Sequence, residues 1–168
     1  MPSKSQSILM GAAVYAVASL ITGFIALNGG TAGQYLSSVL CCLVALIGPF
    51  VAVWHYTSTN SLTIPAGTGA GIGAITVVLG GVISYAIQKV LQLVGAFPSD
   101  AEILEQTRRQ MLDQGMDPAQ VDQAMGMTEM FTGVIGFGIN LVIAAIIGAI
   151  GGAIAASVFK KGDLNGEV

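Results

Sequence analysis

Charge is what this chain has least of. Of its 168 residues only 9% are Asp, Glu, Lys or Arg, while 54% are hydrophobic. A water-soluble domain carries roughly 25% charged residues. So few charges cannot cover a globular surface of this length, which excludes a fold solvated by water alone. The mean hydropathy of +0.78 points the same way, and the length suits a single domain. Histidine is scarcer still: His55 is the only one. A metal or haem role would need a second ligand, and no cluster of His, Cys and carboxylate lies within reach by spacing. The two cysteines, Cys41 and Cys42, are adjacent and form no C-x-x-C motif. They read as small apolar thiols in a membrane helix. No metal and no cofactor is expected.

What is present is apolar sequence in long runs. A membrane-crossing helix takes about 20 residues. Four stretches qualify: about 8–27, 35–55, 66–94 and 131–159. Only Lys89, near the end of the third, interrupts them with a charge. At about 1.5 Å per residue the third and fourth exceed a hydrocarbon layer of ~30 Å, so they should tilt or project. Lys4 ahead of the first run resembles the start of a secretion signal. That run, however, is longer than a signal core and no small-x-small cleavage site follows. It is expected to remain as a span.

Between the third and fourth spans lies an acidic insert, about 98–130. It holds Asp100, Glu102, Glu105, Asp113, Asp117, Asp122 and Glu129 against Arg108 and Arg109. Such a segment offers nothing to nucleic acid and is repelled by anionic headgroups. Its helices announce themselves. "SDAE" at Ser99–Glu102 is a capping box, and a helix from Asp100 should run to about Gln114 and stop at Gly115. "DPAQ" at Asp117–Gln120 repeats the start signal with Pro118 at the first helical position. A second short helix, or an extension into the fourth span, follows. Ile103, Leu104, Met111, Met116, Val121, Met125 and Met127 give the hairpin apolar surface, expected to cap the projecting span ends. The sharper reading is a docking surface for a partner at Met111, Met116, Met125 and Met127.

Four spans put both termini on one side. Lys4, Lys160 and Lys161 flank the membrane there, with Lys89, Arg108 and Arg109 on the other. The terminal lysines sit closer to the spans, so the positive-inside bias places the termini in the cytoplasm of an inner-membrane, multi-pass protein. "WHY" at Trp54–Tyr56 looks like an interfacial aromatic anchor. The first connection, "NGGTAGQ" at Asn28–Gln34, reads as a short glycine turn. The second, Tyr56–Pro65, is polar and uncharged.

The run "PAGTGAGIGAITVVLGG" at Pro65–Gly81 raises the question of a phosphate loop. A dinucleotide fingerprint needs G-x-G-x-x-G between a strand and a helix. After Gly67 and Gly69 the required glycine falls on Ile72, and no strand precedes. At helical spacing the glycines make sense. Gly69 and Gly73 are four apart, as are Gly67 and Gly71, with Thr68, Thr76, Gly80 and Ser84 along a neighbouring stripe interrupted by Ile72. In the fourth span Gly136, Asn140, Ala144, Gly148, Gly152 and Ala156 recur every four residues. In lipid, water no longer drives helices together, and small residues let backbones approach closely. These are expected contact faces, with Asn140 donating a hydrogen bond across the interface. Pro49 should kink the second span, and Lys89 should snorkel to the headgroups. No serine or cysteine has a histidine placed by sequence to activate it, and no enzyme is expected.

The order of parts resembles a family. Four spans with an acidic helical insert before the last, and the stretch "ILEQTRRQMLDQGMDPAQVDQAMGMTEMFTGVIGFGINLVIAAIIGAIGGAIAASVFKK", are similar to small bacterial membrane proteins found mainly in Bacteroidota. That family is labelled domain of unknown function 4199. The resemblance implies a fold and a membrane address, and no mechanism.

The expectation is thus an all-α polytopic membrane protein with a helical hairpin insert. Its expected role is a non-catalytic accessory or structural subunit, in the lipid bilayer with a larger membrane-protein complex or a homo-oligomer. The alternative is a channel or transporter for a small solute, lined by Asn140, Thr76, Ser84 and Gln88 with Pro49 as hinge. The absence of intramembrane carboxylates disfavours proton- or cation-coupled transport.

Overall fold

The computed structural model describes residues 3–132 and 134–160, leaving aside the side chains of Thr31, Gln34 and residues 129–135. Lys161 lies outside the described residues, as do the side chains of Glu129 and Phe131. All the regular structure described is helical: α1 (Ser5–Asn28), α2 (Gly30–Asn60), α3 (Ala66–Leu93), α4 (Asp100–Asp113), α5 (Pro118–Thr132) and α6 (Val134–Val158). Among the described residues four segments are long and apolar enough to cross a membrane: Ser5–Asn28, Tyr35–Asn60, Ala66–Leu93 and Gly136–Val158.

Exposure within these spans follows lipid rather than water. On α1, Val17, Ile21 and Phe24 recur at one face and are each more than half exposed. On α6, Ile143, Ile146 and Ile150 are more than half exposed, and Ile147 and Ile154 are exposed to a lesser degree. In water such stripes would be an aggregation surface; against acyl chains they are solvated.

The connections are tighter than the sequence predicts. The expected seven-residue first turn shrinks to Gly29, and α2 begins at Gly30. The reversal uses Gly30 at φ +55°, a left-handed conformation that glycine adopts without steric cost. The Gly29 amide bonds the Ile25 carbonyl, and Gly33 in turn bonds Gly29, so helix-like bonding resumes at once. The second connection starts later than expected, because α2 runs on through Thr57–Asn60. There Thr57 Oγ1 donates to the Val53 carbonyl at 2.9 Å and Asn60 Nδ2 to the Tyr56 carbonyl at 2.8 Å. Side chains that bond their own helix satisfy themselves without water, so polar residues need not end it. α2 ends at Ser61, φ +51°. Phe131, expected to open the fourth span, falls within α5. α2 is one helix through Pro49, which is fully buried.

By Cα proximity the chain forms two compact units, residues 1–86 with 143–168, and residues 87–142. The first is built on α1, α2, most of α3 and the later part of α6. Its core gathers Ala52, Val53 and Tyr56 of α2, Ile64, Ile72 of α3, and Ala155 and Ala156 of α6. Ile8, Phe50, Leu62 and Phe159 pack around it. Phe50 and Phe159 meet edge to face, ring centroids 5.9 Å apart, an arrangement the ring quadrupoles favour.

The second unit contains the hairpin. α4 starts as the sequence predicts: the Ser99 hydroxyl accepts from the Glu102 amide at 3.3 Å, and the Ser99 amide donates to the Glu102 carboxylate at 2.6 Å. It stops at Gly115, φ +81°, with the Met116 amide reaching back to the Met111 carbonyl at 3.2 Å. That is the bond of a Schellman end. Asp117 Oδ1 then accepts from the Ala119 amide at 2.8 Å to open α5. Among the described residues of α5, Val121 is fully buried, whereas α4 buries none completely.

Candidate functional site

The glycine-bearing helices of the first unit meet at backbone contact. A Cβ placed on Gly69 or Gly73 of α3 would collide with the carbonyl oxygen of Gly152 or Gly148 on α6, respectively. The relation is reciprocal. A Cβ on Gly148 would lie 2.8 Å from the Gly73 oxygen, and one on Gly152 would collide with the Gly69 oxygen. Ala156 completes this contact beside Gly69. Further along α3 the partner changes. A Cβ on Gly80 would stand 2.6 Å from the Tyr15 ring and 2.9 Å from the Ala12 carbonyl of α1. Gly11 of α1 in turn sits against Gly48 and Ala52 of α2 and Thr76 of α3. One stripe of α3 therefore serves two neighbours, α6 through Gly69 and Gly73 and α1 through Thr76 and Gly80.

Gly67 and Gly71 differ. Each has open space where a Cβ would be, on a face turned away from those contacts.

The other small residues of the two spans are less uniform. Ser84 and Ala144 are half-buried, Gly136 is buried, and Asn140 is exposed. Thr76 is fully buried, and its hydroxyl donates to the Ile72 carbonyl of its own helix at 2.7 Å. Thr22, Thr57 and Ser157 likewise donate to the carbonyls four residues back, at 2.9, 2.9 and 3.0 Å. This habit removes the cost of a hydroxyl in hydrocarbon. Ser58 does not follow it. Its own acceptor, the Trp54 carbonyl, is already shared by Thr57 Oγ1 at 3.1 Å, and the Ser58 hydroxyl is buried without a partner among the described residues.

One polar pair was missed by reading along the sequence. Ser7 Oγ of α1 and Nδ1 of His55 on α2 are 2.9 Å apart, although 48 positions separate them. No serine or cysteine is expected from the sequence to have a histidine placed to activate it, yet Ser7 stands within hydrogen-bond distance of His55. The turn at Gly29 folds α2 back along α1 and brings the two together. Ser7 is only 3% exposed, and the pair forms a hydrogen bond between spans. Among the described residues no group of three or more His, Cys, Asp or Glu could hold a metal ion.

In the second unit, Lys89 does not simply reach for headgroups. Its ammonium donates to Asp100 Oδ2 at 2.6 Å and to Gln92 Oε1 at 3.1 Å, while Gln92 Nε2 donates to Asp100 Oδ1 at 3.0 Å. This triangle ties the end of α3 to the start of α4. The Lys89 ammonium, followed by the Gln92 amide, holds the Asp100 carboxyl below the usual carboxylate range. Bonds from the Ser99 amide and then its hydroxyl do the same for Glu102. Arg108 pairs with Asp122 at 2.7 Å across α4 and α5, and Arg109 with Glu105 at 3.0 Å along α4. Of the four methionines, Met116 and Met127 are exposed, and Met111 and Met125 are half-buried.

With this architecture in view, the family described as Protein of unknown function (DUF4199) matches residues 7–161, from the first turn of α1 to the end of α6. The chain belongs to that family. Comparison with curated proteins and with solved structures gives no match. The matched range takes in the insert and nearly all of the four spans.

Proposed function

We propose that this DUF4199 chain is a non-catalytic accessory or structural subunit of the cell inner membrane, with cytoplasmic termini and the hairpin outside. It associates with another membrane protein, or with a second copy, by close approach of helices at small residues. The observation that carries this reading is the pair Gly67–Gly71. Their neighbours Gly69 and Gly73 are taken up by α6 within the chain, but Gly67 and Gly71 leave a second bare strip of α3 backbone with open space beside it. A helix carries glycine at a cost of about 1 kcal/mol each relative to alanine. Two of them four apart on a free face favour another helix lying there.

The test is native mass spectrometry in mild detergent and crosslinking in native membranes, on the natural chain and on G67L/G71L. The natural chain should appear as an oligomer or in a complex, and the double variant as a folded monomer. A natural chain that is only ever monomeric and crosslinks to nothing would overturn the proposal.

A further inference from the structure

We draw no further inference here: the strongest candidate, the exposed tip of the α4–α5 hairpin where Leu112 and Met116 stand beside Asp113 and Asp117, is an acidic and apolar surface patch for which nothing in the structure shows what covers it.

Discussion

The carbonyl oxygen of Gly152 occupies the space that a side chain on Gly69 would need. No rotamer relieves that conflict, because the obstacle is backbone on both sides. α3 and α6 must separate if either residue acquires a Cβ. Separation in turn opens the Gly73–Gly148 contact one turn away.

Substitution at this contact should therefore be severe. Gly69→Val and Gly73→Val are each expected to destabilise the first unit by at least about 1–3 kcal/mol, the usual range for overpacking. Gly67→Val and Gly71→Val, on the same helix and at similar depth, meet open space and should leave the fold intact. Thermal unfolding followed by size-exclusion chromatography in detergent separates the two pairs. Equal losses from both would show that glycine spacing alone, and not the contact, matters.

The Ser7–His55 bond links α1 to α2 near the end of each helix. Hydrogen bonds between spans are worth about 0.6 kcal/mol on average and at most about 1.7. A double-mutant cycle with Ser7→Ala and His55→Phe, read by equilibrium unfolding in mixed micelles, should give a coupling in that range. A coupling of zero would mean that the two side chains do not share a bond in the folded chain.

Much of this architecture was legible because membrane helices are specified locally. Apolar length marks each span, and Ser99, Glu102, Gly115 and Asp117 mark the hairpin through the hydrogen bonds they make with the backbone. What sequence reading missed depends on pairing between distant elements. Nothing near Ser7 signals His55, since their meeting needs the reversal at Gly30. Nor does spacing distinguish Gly69–Gly73 from Gly67–Gly71. Both repeat every four residues, and only the position of α6 decides which is covered. The Lys89–Gln92–Asp100 triangle had a partial signal, an i,i+3 pair at the helix end, but its third member comes from the next helix.

Ser58 is expected to behave opposite to most buried residues. Its hydroxyl is buried and unpartnered among the described residues. A buried unsatisfied polar group costs about 1–3 kcal/mol. Ser58→Ala should thus be neutral or raise the unfolding temperature, whereas Thr57→Ala, which removes a bonded and fully buried hydroxyl, should lower it. A clear loss of stability in Ser58→Ala would show that its hydroxyl has a partner after all.

The start of the hairpin should soften in acid. The carboxyl of Asp100 is held below its ordinary value of 3.8, chiefly by the Lys89 ammonium and next by Gln92. A carboxylate whose folded pKa is depressed contributes stability that is complete above its unfolded pKa and is lost as pH falls through the folded value. The α3–α4 junction should therefore hold steady from neutral pH down to about 4 and loosen below it. Glu102 shifts in the same direction through its bonds from Ser99, so the cap and the triangle weaken together. The Lys89 and Asp100 side chains are 36% and 49% exposed, and screening limits their pair to about 0.2–1 kcal/mol. The effect is accordingly local: protection from amide exchange, relative to the intrinsic rate at each pH, should fall at residues 99–103 below pH 4 while that of the α3–α6 contact does not. In Lys89→Met the Asp100 titration, followed by carboxyl NMR in detergent, should move up toward the ordinary value. If it stays where it is in the natural chain, the lysine is not what stabilises the charge.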